Sequence, residues 1–278
     1  MEYDKEKLGK KADEIRKHIL DMTSKAASGH PGGSMSILDT LTVLYFHFMN
    51  HSPDNPQDPK RDRLVLCKGH AAPALYSVLA EAGYFPTDEL SGLRTLKSML
   101  EGHPCRRKVP GVDASTGSLG QGLSIASGMA ASAKIRGQKH RIYAILGDGE
   151  IQEGQVWEAA MAAAHYKLDN VTAVLDRNCL QIDGGTEEVM SIEPVIDKWL
   201  AFGWEVVTCN GHSHSELIEA ITKANDTPGK PAIVIAKTVK GKGISFMEGV
   251  KEYHGRALTA QEMTCALAEL NGEGKIGV

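Results

Sequence analysis

Asp148 and Asn178 are the side chains of this 278-residue sequence whose setting points most directly to chemistry. Asp148 stands in Gly147-Asp-Gly149, directly after the apolar run 141–146, and Asn178 closely follows a second apolar run, 171–176. Between them, residues 153–165 (Glu-Gly-Gln-Val-Trp-Glu-Ala-Ala-Met-Ala-Ala-Ala-His) read as one helix. A strand, a right-handed crossover helix and a parallel strand bring both strand ends to one edge of a sheet. Ligands bind at that carboxyl edge in open α/β folds. Asp148 and Asn178 then offer oxygen ligands to one point, and Gly149 lets the backbone approach an anion closely. A few oxygen ligands suit Mg²⁺ or Ca²⁺ shared with a phosphate group. Gly-Asp-Gly alone is more often a tight turn. The strand before it, the helix after it and Asn178 give it meaning.

Four histidines stand beside glycines in turn-prone stretches: His30 in Ser28-Gly-His-Pro31, His70 in Lys68-Gly-His70, His103 in Glu101-Gly-His-Pro104, and His254 in Tyr253-His-Gly255. Taken singly, each is more simply a solvated or structural residue. Strand-end loops can converge on one pocket, however, and histidine suits sites that move protons near neutral pH or donate to oxyanions.

These residues need a scaffold, and the chain supplies alternating signals for one. Helices are expected at 4–27, at 36–49 after a rigid turn at Gly29-His-Pro-Gly-Gly33, at 72–82, from Ser115-Thr-Gly-Ser-Leu-Gly-Gln-Gly122 to 136, at 194–202 and at 215–224. Short strands are expected at 64–66, 205–208 and 232–236, besides the two apolar runs. The alternation predicts an α/β fold, with a doubly wound, mostly parallel sheet, helices on both faces and a single domain over 1–278. In the helix at 153–165, the spacing of Trp157, Ala160, Met161 and Ala164 predicts its buried face.

Composition excludes several classes. A net charge of −4 gives no electrostatic case for nucleic acid, and no apolar run reaches bilayer length. The charged start lacks the apolar centre of a signal peptide, which implies a cytoplasmic location. Cys67, Cys105, Cys179, Cys209 and Cys265 are odd in number and unpaired in spacing, which predicts free thiols, with a packing role for Cys179. His212-Ser-His214 reads as a polar loop rather than a metal site. Neither Gly117–Gly122 nor Lys240–Ser245 satisfies a dinucleotide or P-loop pattern.

The histidine set, together with Asp62-Arg-Leu-Val-Leu-Cys-Lys-Gly-His70, Ser115–Gly122 and Gly147-Asp-Gly-Glu-Ile-Gln-Glu-Gly154, closely resembles the N-terminal, diphosphate-binding half of the transketolase family over nearly the whole chain. The resemblance implies thiamine diphosphate as cofactor and a thiamine diphosphate-binding fold. It implies that Asp148, Asn178 and the Leu180 carbonyl hold Mg²⁺ (or Ca²⁺) on the diphosphate. His70, Gly149 and Lys240 would contact the diphosphate, next to Gly147. Gly117, Ser118 and Leu119 would line the rest of the cofactor, with Gln181 a further neighbour and Glu153 in a carboxylate network between subunits. His30, His103 and His254 would face the substrate. The cofactor would act as electron sink while a two-carbon ketol unit leaves a ketose phosphate for an aldose phosphate.

A full transketolase is more than twice this length. The resemblance therefore implies a missing partner that carries the pyrimidine-binding and C-terminal domains, and an α2β2 assembly. A fragment of a longer chain is the other reading of the length, and the glycine-stopped helix near the end favours the split enzyme. The alpha subunit of a 2-oxo-acid dehydrogenase and a 1-deoxyxylulose-5-phosphate synthase-like enzyme share the Gly-Asp-Gly…Asn unit and stay open as alternatives. So does a non-catalytic binding partner that keeps the cofactor fold.

Overall fold

The computed structural model describes residues 4–273. The first three residues of the charged start, and the tail from 274 onward, lie outside the described residues.

Strands buried on both faces read as nearly continuous apolar runs and belong inside parallel sheets. Five segments pair in that way: β1 (Arg63–Leu66), β2 (Ile142–Gly147), β3 (Val171–Arg177), β4 (Glu205–Asn210) and β5 (Ala232–Lys237). They form one all-parallel sheet in the order β1-β2-β3-β5-β4. The inner strands β2, β3 and β5 are almost wholly buried, whereas the edge strand β4 alternates toward its end. Gly147 pairs with Asp176, and Asp176 with Ala236, so the carboxyl ends of β2, β3 and β5 finish level.

The helices are α1 (Lys5–Lys25), α2 (Pro31–Val43), α3 (Ala72–Glu81), α4 (Gln121–Ile135), α5 (Gly154–His165), α6 (Thr186–Val189), α7 (Val195–Ala201), α8 (His214–Asn225) and α9 (Ala260–Leu270). Successive strand residues point to opposite faces, and the core divides accordingly. Leu64, Leu66, Tyr143, Ile145, Val174 and Val234 pack with Ile15 and Ile19 of α1, Leu38 of α2, Leu75 of α3 and Leu217 of α8. Val65, Ile142, Ala144, Ala173, Leu175 and Ile233 pack with Leu123 of α4, Val156 of α5 and Trp199 of α7. Both faces are covered, as the alternation predicted. No helix among the described residues is long and apolar enough to cross a membrane.

Three expectations need correction. The stretch predicted as a rigid turn at 29–33 already contains the start of α2, with Pro31 in its first turn, where its missing N–H costs nothing. That helix is buried at every residue, its polar Ser36 and Asp39 included, and it ends in a π-helical turn over Leu44–Phe48. The buried face of α5 is Val156, Ala159, Ala160 and Ala163, while Met161 is 61% exposed. Alanines on several faces made its periodicity ambiguous. Cys179 is exposed in a left-handed conformation rather than packed.

Candidate active site

The carboxyl ends of β1, β2, β3 and β5 converge on one cavity of about 340 Å³. His70 comes from the turn after β1, Gly147, Asp148 and Gly149 from the end of β2, Asn178, Leu180 and Gln181 from the chain after β3, and Lys240 from the chain after β5. Gly117 and Leu119 enter from the loop before α4, Glu153 from the turn before α5, His30 from the start of α2, and His254 from the 3₁₀ turn Lys251–His254. Ser118 lies between two lining residues but is itself exposed and does not line the cavity. His103 is also exposed and lies in a neighbouring groove with Arg94. Its ring covers Gly117, where an added Cβ would lie 3.1 Å from it.

Three of the four histidines therefore meet. The His30 ring centroid lies 5.1 Å from that of His70 and 5.4 Å from that of His254, and His70 lies 5.1 Å from His254. Close backbone approach makes this possible. A Cβ on Gly32 would sit 2.7 Å from the Tyr253 carbonyl oxygen, so only glycine lets the start of α2 reach the segment bearing His254. The Gly241 N–H donates to the Gly32 carbonyl at 3.0 Å and fastens the Lys240 turn to the same helix.

Two lysines, Lys68 and Lys240, stand with the three histidines in the cleft. Lys240 Nζ donates to the Leu180 carbonyl at 2.9 Å and to His254 Nδ1 at 3.0 Å, which leaves the His254 ring neutral with its proton on Nε2. Burial and then the Lys240 ammonium push His254 down to about 3. Burial, with Arg94 as the next contributor, pushes His30 down to about 4. Burial and Lys68 hold His70 well below the ordinary range. Lys240 itself is lowered to about 8 by burial and by Lys68. The His30 Nδ1 atom is buried with no hydrogen-bond partner.

The oxygen atoms expected to hold a metal lie beside these cations. Asp148 accepts from the Gly149 N–H at 2.9 Å and the Cys179 N–H at 2.6 Å, and pairs with Arg177 at 3.2 Å. Burial and then the Asp176 carboxylate push its pKa up. A carboxylate disfavoured by its own surroundings is one that a bound cation would relieve. Asn178 Oδ1 accepts from the Leu180 N–H at 3.1 Å. The set of carboxylate, amide and carbonyl oxygens suits a hard divalent cation, and the lysines and backbone N–H groups around it suit a diphosphate. The residues present fit such a pair.

Sequence reasoning missed the groups beneath this surface. Asp176, 1% exposed, accepts from Lys68 Nζ, from Ser36 Oγ at 2.6 Å, from Asn178 Nδ2 at 2.9 Å and from Thr238 Oγ1. Against its burial, the Lys68 ammonium and the two hydroxyls hold it below the ordinary carboxylate range. It thereby fixes which way the Asn178 amide faces. Glu150, also buried, accepts from the Gly120 and Gly147 N–H groups, each at 3.0 Å, and clamps the loop before α4 to the end of β2. Burial pushes its carboxyl up to about 7. An acid inside an otherwise apolar strand was the available signal, since buried charges need partners. His212 and His214 both bond the buried Asp39, at 2.9 and 3.1 Å.

Comparison with known proteins agrees with this geometry. Residues 8–273 match the family model described as transketolase, thiamine diphosphate binding domain. The chain is 47% identical over 263 residues to the 6-deoxy-6-sulfo-D-fructose transketolase subunit SqwG of a Clostridium species, covering 95% of this chain and 96% of that one. It is 43% identical over 266 residues to an apulose-4-phosphate transketolase subunit of Phocaeicola vulgatus, covering 96% and 94%. Among solved structures, transketolase from Campylobacter jejuni superposes with a TM-score of 0.92 at 36% identity, covering 97% of this chain but 43% of that chain.

Proposed function

The chain belongs to the transketolase family through its thiamine diphosphate-binding domain, and from this premise we propose that it is the diphosphate-binding subunit of a split transketolase. The enzyme transfers a two-carbon ketol unit from an anionic ketose to an aldose phosphate. The partner is a separate C-terminal subunit with the pyrimidine-binding and third domains, in an α2β2 assembly. Two relatives that match this chain over nearly their whole length and are named as subunits support the division. Their names specify two different ketoses, apulose 4-phosphate and 6-deoxy-6-sulfo-D-fructose, so the reading stays at the level of an anionic ketose. The five free cysteines fit a reducing compartment, and a cytoplasmic location is part of the proposal.

The observation that carries the reading is the convergence of His70, Asp148, Asn178 and Lys240, from four strand ends, on one cavity ringed by histidines. Asp148, Asn178 and the Leu180 carbonyl would hold Mg²⁺ or Ca²⁺. His70, Lys240 and the Gly149 N–H would hold the diphosphate, with Gly117 to Leu119, Gly147 and Gln181 along the rest of the cofactor. Glu153, at the exposed rim, would face the partner subunit. Bound thiamine diphosphate supplies the electron sink for carbon–carbon cleavage. This chain's share is orientation and donors: His30 and His254 at the cavity, and His103 in the adjoining groove, steady the ketose hydroxyls and the negative charge that grows on its carbonyl oxygen. Calorimetric titration of the purified chain with thiamine diphosphate, with and without Mg²⁺, tests the site. Saturable, metal-dependent binding is expected, and binding indifferent to the metal would overturn the ligand assignment.

A further inference from the structure

A second cavity, of about 490 Å³, lies beside the amino end of the edge strand β1, away from the carboxyl-edge cleft. Arg61, Arg63, Arg106 and Arg136 line it, and Asp113 is the one carboxylate among its lining residues. Four guanidiniums face one carboxylate, an excess of three positive charges on a chain whose net charge is −4.

That carboxylate is already committed. Asp113 takes a two-pronged bond from Arg61 and accepts the Leu64 N–H at 2.9 Å. Arg63 reaches Asp113 at only 3.5 Å and gives its other nitrogen to the Asp58 carbonyl at 2.8 Å. The side chains of Arg106 and Arg136 have no hydrogen-bond or ion-pair partner among the described residues. His140, also on the lining, has its Nδ1 buried without a partner. Burial and then the Arg63 guanidinium hold that ring below its ordinary range, which keeps it neutral and able to bond a ligand.

We infer that this cleft is a second anion site, distinct from the cofactor cavity, that takes a small phosphate-bearing metabolite with more than one negative charge. Planar guanidiniums present forked donors that match phosphate oxygens, and the volume lies in the range of small-ligand pockets. The concave shape favours a small molecule over an acidic peptide, which would lie along a surface.

The test is calorimetric titration of the full-length chain with inorganic pyrophosphate at low salt, without divalent cation. Three proteins are compared: the unmodified chain, Arg106→Gln with Arg136→Gln, and Lys240→Met. Arg106 and Arg136 are exposed and unpartnered, so the double variant should keep the melting transition of the unmodified chain. One equivalent should bind the unmodified chain, because the diphosphate site of the cofactor cavity needs its divalent cation. The double variant should lose it, weakened at least tenfold, and Arg136→Glu should do the same. Lys240→Met should keep it, and its loss there would overturn the proposal by placing the anion in the cofactor cavity. A double variant that titrates like the unmodified chain would overturn the proposal, as would an acidic hexapeptide that binds the cleft more tightly than pyrophosphate.

Discussion

At the scale of single residues, the cleft holds cations and carboxylates in a balance that a bound cofactor would change. Asp148→Ala should abolish metal-dependent binding of thiamine diphosphate, read by the same titration, because it removes the one carboxylate among the three proposed metal ligands. His103→Ala should leave that affinity nearly intact and lower turnover, since the ring lies outside the cavity over Gly117. The opposite pattern would contradict the roles. Asp176 is assigned no contact with cofactor or metal and acts through Asn178 and Lys68. Asp176→Asn should weaken cofactor binding by about 10–100-fold, the usual cost of losing a group that orients a metal ligand. A folded variant with unchanged affinity would contradict this. The histidines give a pH signature. Unfolded histidine titrates near 6.5, whereas His30 and His254 are lowered to about 4 and about 3. The unfolded chain then binds more protons between those values, so stability is full above pH 6.5 and falls as the pH drops toward 4. A diphosphate beside these rings should raise their pKa values, so binding near pH 6 should take up protons. Titrations in two buffers of different ionisation enthalpy would detect that uptake, and equal heats would contradict it.

At the scale of elements, much of the site was legible because strand ends have a fixed place. Asp148 and Asn178 follow apolar runs that must be parallel strands, and parallel strands joined by one helix must end together. The three-dimensional meeting of His30 with His254 was not legible, because it depends on a close approach at Gly32 between segments more than two hundred residues apart. Asp176 was read as the end of an apolar strand, and its four partners come from α2, from the turn after β1, and from the chain after β3 and β5. Only the fold brings them together. Glycine also sets the joint between β1 and the loop before α4. A Cβ on Gly69 would lie 2.6 Å from Thr116 Oγ1 and 2.8 Å from the Gly117 nitrogen. Gly69→Ala should therefore push that loop outward, costing about 1–3 kcal/mol as overpacking does. Thermal melting would show the loss, together with weaker cofactor binding, and an unchanged melt would mean that the joint is looser than it looks.

At the scale of the whole molecule, the sheet presents its cofactor cleft at one edge, and this chain spans 43% of the Campylobacter jejuni transketolase that it superposes on. The proposed partner rests on two relatives that are named as transketolase subunits and that match this chain over 96% and 94% of their own length. The sugar was not legible, because the groups that choose it were expected on the partner. The most direct measurement is a coupled ketol-transfer assay with thiamine diphosphate, Mg²⁺, an aldose phosphate acceptor and a panel of anionic ketoses. It is run first on this chain by itself, and then on its mixture with the C-terminal partner. Transfer in the mixture and none from the chain alone is the predicted result. Transfer at ordinary enzyme rates by the chain alone would contradict the account.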